Sequence, residues 1–236
     1  MSTFECGYAI DPRGEGLAVP SLLHIDASIR QGESTSRKLS AYFADQWRQN
    51  HAGAGYVYRD LGVEPIPHIT HGIREWLFDP ETDVEGNAEK HGVSPEDRAL
   101  TQALTAEVRE ATTLLIAIPM YNYTVPSSFK AWIDRIVTPA HMIAPGTEVG
   151  LLRAKSVVVV TARGGSYAPG TPREGWDFQE PYVRAVLSAI GLADDLHFAH
   201  SELTFAQIVP QMAALKPIAE KSLSTAYESL GKLAVQ

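Results

Sequence analysis

Three short segments carry side chains and spacing that suggest chemistry. "DASIRQGESTSRKLS", residues 26–40, places Ser28, Ser34, Thr35 and Ser36 just ahead of a helical pattern. Hydroxyls together with the unpaired N–H groups of a helix N-terminus make an anion site without an obligatory cation. "PMYNYTVP", residues 119–126, leaves an apolar run and presents Met120, Tyr121, Asn122 and Tyr123 before a helix begins. Aromatic rings and backbone amides in such a loop suit a flat ring system. "TARGGSYAPGTP", residues 161–172, follows a second apolar run. Its Gly164 and Gly165 let the backbone come close to a ligand and point amides at it. Each segment also has a plain structural reading: a Ser-rich cap, a tight connection with two surface tyrosines, and a common glycine turn. The three gain meaning when they share one edge of a sheet.

Other chemistries fit poorly. The first loop has neither the G-x-G-x-x-G pattern nor the G-K-[ST] ending of a phosphate-binding ATPase loop. Ser166 follows two glycines without the second flank of a nucleophile elbow. His68 and His71 lie three apart in an irregular stretch, and His197 and His200 lie three apart on a strand, where they point to opposite faces. No cluster has metal-ligand spacing, so no metal is expected. Twenty basic and 28 acidic residues give a net charge of −8, which argues against a nucleic-acid partner. No apolar run reaches a membrane span, and no basic-then-apolar signal opens the chain. The single Cys6 excludes an internal disulfide framework and suits a reducing, cytoplasmic setting.

The elements that must position these loops can be read from periodicity. Residues 1–20, with Gly7, Pro12, Gly14, Gly16 and Pro20, show no pattern and read as an N-terminal arm. Residues 21–236 read as one domain, suited to a chain of 236 residues with 44% hydrophobic content. Leu22–Ile25 is a first strand, and Leu39, Tyr42, Phe43 and Trp47 mark a helix capped by Ser34 or Ser36. A short strand follows near Tyr56–Arg59. A long excursion over about 62–94 reads as irregular, and loops of that length are usually functional. Ser94, Pro95, Glu96 and Asp97 open a second helix. "TTLLIAI" and "SVVVVTA" are strands buried on both faces. Phe129, Trp132, Ile133, Ile136 and Val137 lie on one helical stripe, with Pro126 near its start. "EPYVRAVLSAIGL" is a helix stopped by Gly191, "DDLHFAHSE" a last strand, and about Gln207–Leu233 a closing helix. Five alternations of strand and helix imply an α/β fold with helices on both faces of a parallel sheet. Five strands match the flavodoxin-like doubly wound order 2-1-3-4-5, whose ligands bind beyond the carboxyl ends of the first and third strands.

Taken together, "SIRQGESTS", "PMYNYTVPSSFKAWIDRI" and "TARGG", with "LSAYFADQWRQNH", "VYRDL" and "PIP", resemble the FMN-dependent NADH azoreductases, a family of flavodoxin-like NAD(P)H:quinone oxidoreductases. The likeness runs from about Leu22 to the closing helix. It implies that Ser28, Ser34, Thr35 and Ser36 hold the FMN phosphate, and that Met120, Tyr121, Asn122 and Tyr123 lie along the flavin ring. It further implies that Ala162, Arg163, Gly164 and Gly165 contact the pyrimidine side. The family works as a homodimer whose pockets are completed by the second subunit. It passes a hydride from NADH or NADPH to flavin N5 and then reduces a quinone or azo compound by two electrons in a ping-pong cycle.

Because the cofactor carries the hydride, no catalytic side chain is required. The amides of Gly164 and Gly165 are candidates for steadying charge near flavin N1 and O2. Tyr121 or Tyr123 reads either as a proton donor or as a wall, and Trp176 and Phe178 either as a stacking platform for substrate or as core. The arm, residues 70–94 and "APGTPREGWDF" depart from the family pattern and are expected to shape the substrate pocket. A flavodoxin-like electron carrier, or a regulatory FMN-binding module without turnover, is the alternative on the same scaffold.

Overall fold

The computed structural model describes residues 19–79, 87–144 and 146–236. Five strands, β1 (Ser21–Asp26), β2 (Gly55–Asp60), β3 (Thr113–Pro119), β4 (Ser156–Ala162) and β5 (Leu196–Ser201), form one sheet. Every pairing is parallel and the order is β2-β1-β3-β4-β5, the flavodoxin-like arrangement expected from the alternation. All seven residues of β3 are buried, because the strand is central and covered on both faces.

The two-residue period of each strand divides the core. Leu23, Ile25, Leu114, Ile116, Val157 and Val159 pack on one face with α3 (Pro95–Glu110), α4 (Ser127–Ile136) and α6 (Glu180–Ala189). Leu22, Leu115, Ala117, Val158 and Val160 pack on the other with α1 (Thr35–Asn50) and α7 (Lys216–Leu233). Ser34 caps α1 and Ser94 caps α3, its Oγ accepting from Asp97 N at 3.1 Å. Gly191, at φ 92°, lies just beyond the end of α6.

Two readings of the chain need correction. The stretch read as irregular contains α2 (His71–Phe78), capped by Thr70, whose Ile73, Trp76 and Leu77 form a small core with Ala88 and Val93. Its single apolar stripe spans only eight residues, too short to stand out among the surrounding Pro, Gly and His. The closing helix begins at Lys216, not Gln207. Two 3-10 turns, Thr204–Gln207 and Pro210–Leu215, precede it. Pro210 and Pro217 lack the N–H that a continuous helix would require, so Pro217 sits in the first turn of α7. A short helix not read from the sequence, α5 (Pro139–Met142), follows α4. The N-terminal arm lies almost wholly outside the described residues.

A buried cation ties the excursion to the domain. Arg135 on α4 is fully buried and donates to Pro67 O at 3.2 Å, Thr101 Oγ1 at 3.0 Å and Asp97 Oδ1 at 2.8 Å. That pairing holds the start of the excursion against α3 and α4.

Candidate active site at the carboxyl edge of the sheet

The loops after β1, β3 and β4 converge, and with the segment after β5 they enclose a cleft of about 340 Å³. Ser28, Ser34, Thr35, Met120, Tyr121, Ala162 and Gly164 line it. Ser36, Asn122, Tyr123, Arg163, Gly165, Trp176 and Phe178 do not. Ser36 is fully buried behind the rim, with its Oγ 3.2 Å from Ser34 Oγ. Arg30 and Lys38 also line the cleft, so cations stand beside the helix N-terminus.

One end of the cleft is built around the start of α1. Ser34 Oγ accepts from Arg37 N, and Ser28 Oγ accepts from Arg30 N at 3.2 Å. The first amides of α1 have no partner within the helix, as for any helix start. Behind the loop, Arg37 makes a two-sided clamp. It grips Asp60 bidentately, at 2.7 and 2.5 Å. It also donates to Tyr58 OH at 3.1 Å and to the loop carbonyls, Ser28 O at 2.6 Å and Arg30 O at 3.0 Å. A bidentate guanidinium fixes direction as well as distance.

Asp26, at the end of β1, accepts from Ser40 Oγ at 2.8 Å and Tyr58 OH at 2.9 Å. Burial raises its pKa, but His24 (Nε2 at 3.6 Å), Ser40 and Tyr58 outweigh burial and hold it below the usual value. Asp60 is likewise lowered: burial opposes, and the Arg37 clamp with the Gly62 and Val63 amides prevails. Burial and the neighbouring Asp26 push the Tyr58 phenol well above its ordinary value, so it stays a donor.

The Met-Tyr-Asn-Tyr stretch is a two-residue hairpin. Tyr121 N donates to Thr124 O at 3.0 Å and Thr124 N returns to Tyr121 O at 3.1 Å. Asn122 (φ 48°) and Tyr123 (φ 69°) both occupy the left-handed region. Asn tolerates that region and Tyr does not, so the turn carries local strain of order 1 kcal/mol. Neighbours hold it. Ile29 N donates to Tyr121 OH at 3.2 Å, and Phe178 N donates to Tyr123 O at 3.1 Å. The turn directs Tyr121 into the cleft and Tyr123 away from it, onto Trp176 at 5.3 Å between ring centroids. Trp176 and Phe178 are exposed, at 51% and 59%, which rules out the core reading for both.

The glycine loop is held by residues that the sequence did not reveal. Leu203, Thr204 and Phe205 donate their N–H groups to the carbonyls of Gly165, Arg163 and Gly164. Leu203 does so at φ 58°, another left-handed non-glycine. The N–H groups of Gly164 and Gly165 have no acceptor among the described residues. A Cβ on Gly164 would sit 2.5 Å from the Phe205 ring, so any larger residue requires that ring to move. The general rule that ligands meet the carboxyl ends of strands applied equally to β5 and would have flagged this segment.

Arg163 is buried beneath this loop rather than in the cleft. It lies 3.0 Å from Asp177, 3.9 Å from Glu180 and 3.5 Å from Glu202. Glu202 accepts from Ser166 Oγ at 2.6 Å, and Asp177 Oδ1 accepts the Gln179 and Glu180 amides at the start of α6. His200 joins through Glu180 at 2.9 Å and Thr161 Oγ1 at 2.7 Å. Burial, then the Arg163 charge, lowers its pKa against the pull of Glu180 and Glu202. Among the described residues no group of three or more His, Cys, Asp or Glu side chains is placed to hold a metal ion, and no helix is long and apolar enough to cross a membrane.

Residues 20–221 match the model of a family described as having a flavodoxin-like fold. An FMN-dependent NADH:quinone oxidoreductase of Frankia casuarinae is 40% identical over 211 residues, covering 88% of this chain and 95% of its own. A protein of the same name from Streptomyces avermitilis is also 40% identical over 211 residues, covering 88% and 92%. Among solved structures, an azoreductase from Bacillus anthracis superposes with a TM-score of 0.74 at 22% identity, covering 92% of this chain and 99% of that one. At that identity the superposition speaks for the fold alone. The chain belongs to the flavodoxin-like family, in the group whose members are named FMN-dependent NADH:quinone oxidoreductases.

Proposed function

We propose that this member of the flavodoxin-like family is an FMN-dependent NADH:quinone oxidoreductase. The observation that carries the reading is one cleft flanked by two kinds of donor. The hydroxyls and free amides at the start of α1 stand at one end, and the acceptor-less amides of Gly164 and Gly165 belong to the loop at the other. These groups fit an elongated ligand with a phosphate at one end and carbonyl oxygens at the other. The fit to FMN therefore rests on donor chemistry in this chain, supported by the names of the relatives.

When bound, FMN would supply two-electron hydride chemistry at N5 between NADH and a quinone or azo acceptor, in a ping-pong cycle. The chain's own residues position and polarise. Ser34 and Thr35, with Arg30 and Lys38, meet the phosphate. Met120 and Tyr121 form the wall along the ring, with Tyr121 held by its bond from Ile29 N. The Gly164 and Gly165 amides act as fixed dipoles whose orientation is set before the reaction. Exposed Phe178, Ile208 and Ile218 leave apolar surface close to the site, which supports a homodimer that completes the pocket. The lone Cys6 supports a cytoplasmic setting.

The test is direct. Purified protein supplied with FMN shows oxidised flavin absorption bands after gel filtration and oxidises NADH with a simple quinone. Absence of both bands and turnover sinks the reading; retained flavin without turnover replaces it with a carrier or regulatory module.

A further inference from the structure

Arg173 differs from the other arginines around the site. Arg37 and Arg163 are locked to carboxylates, whereas no carboxylate pairs with Arg173 among the described residues. The side chain is only half-buried, yet it is placed. Nη1 lies 3.5 Å from Tyr167 OH, and the guanidinium carbon lies 5.9 Å from the centroid of the Tyr123 ring. It also rests on Gly165, where an added Cβ would come within 3.0 Å of Nη1. The adjacent Glu174, the nearest acid in sequence, is turned away to accept from Gly170 N at 2.8 Å.

Two further features surround this cation. Tyr123 stands edge-on to Trp176 at 5.3 Å and to Tyr167 at 6.5 Å, an aromatic rim over the glycine loop. Arg173 also lines a second cavity of about 310 Å³, whose walls are mostly apolar and include Pro172, Phe205, Met212 and Leu215, and it is the single charged residue there among the described residues. Gly164 and Phe205 line both this cavity and the main cleft, so the two adjoin. An apolar pocket with one directed polar group is the usual form of a specific small-molecule site.

We propose that Arg173 and this cavity form an acceptor subsite selective for flat aromatic compounds bearing a carboxylate or sulfonate. The ring packs among Phe205, Met212 and Leu215, and the anionic group takes the open fork of the guanidinium. A neutral ring of equal size gains the packing but leaves the guanidinium unpaired. The inference rests on the oxidoreductase reading for its name as an acceptor site, but its binding claim stands on these residues alone.

The experiment compares two isosteric ligands that undergo no reduction, naphthalene-2-sulfonate and naphthalene-2-sulfonamide. Their binding to the purified protein is followed by calorimetry and by Trp fluorescence. The sulfonate binds about 10- to 100-fold more tightly, the range expected for charge-assisted bonds, and Arg173→Gln abolishes the difference. In steady state, Arg173→Gln lowers the ratio of kcat/KM for 1,2-naphthoquinone-4-sulfonate over 1,2-naphthoquinone by at least about tenfold. Equal binding of both ligands to the wild type overturns the proposal. So does an Arg173→Gln effect on the KM for NADH alone, which would assign the guanidinium to the nucleotide phosphates. If the sulfonate preference holds while no quinone is reduced, the subsite survives and the functional reading fails.

Discussion

The two ends of the cleft are each braced by an arginine, and the braces are built differently. At the β1–β2 end, all three guanidinium nitrogens of Arg37 are spent on directed bonds to Asp60, Tyr58 and the carbonyls of Ser28 and Arg30. At the β4–β5 end, Arg163 faces three carboxylates, yet its Nε and Nη2 make no hydrogen bond. The first brace fixes geometry, holding a short loop in one shape. The second is a counter-charge that lets Asp177, Glu180 and Glu202 approach one another under the glycine loop. Directed bonds tolerate little displacement, whereas a central charge tolerates more but cannot be removed.

Removing that charge gives the largest expected effect. Arg163→Met leaves three neighbouring carboxylates without their cation and costs about 3–5 kcal/mol of folding stability in urea denaturation. A loss below about 1 kcal/mol, the range of an exposed ion pair, would show the second brace to be dispensable and break the comparison. Next comes the donor set that the first brace orients. The double variant Ser34→Ala, Thr35→Ala, which removes the two hydroxyls of this helix start that line the cleft, weakens FMN binding by about 2–4 kcal/mol in a fluorescence titration. Unchanged affinity would move the phosphate site away from α1.

Between the ends lies the left-handed hairpin. Asn122→Ala, with φ at 48°, destabilises by about 1 kcal/mol in thermal melts, because alanine lacks the local hydrogen bonding that eases this conformation for Asn. An unchanged melting temperature would mean that the turn relaxes and stores no strain. The smallest effect is a pH slope. His200 has a folded pKa below its unfolded value, so the unfolded chain binds the proton first as pH falls. Its contribution to stability is present above about pH 6.5 and is lost as pH drops through the lower folded value. His200→Asn flattens that slope, and an identical slope in the variant would detach His200 from the Arg163 brace.

Legibility in the sequence followed the range of the interactions. The β3 and β4 runs, the Ser34 and Ser94 caps and the stripe of α4 depend on neighbours a few residues apart, and each was visible. The hydroxyl-rich end of the cleft was visible for the same reason, since Ser28, Ser34 and Thr35 lie within eight residues of chain. Tyr123 was placed on the ring-facing loop, but the I′-like turn swings its ring outward to Trp176. Arg163 was placed against the ligand, and burial with three acids put it beneath the loop. Leu203–Phe205 lies between the expected last strand and the expected closing helix, and nothing local marks it. The hydrogen bonds to residues 163–165 that hold the segment in place span about forty residues of chain.

Hydrophobic period, caps and turn residues were therefore enough to determine the strand count, the parallel order and the edge at which the three loops gather. These are local signals, and the core then has few ways to bury both faces of the sheet. Only the tertiary structure decided which way the side chains at that edge point. It set Arg37 on loop carbonyls, Arg163 among its acids and Arg173 without one, since charge pairing in a folded chain depends on distances that no spacing along the sequence encodes.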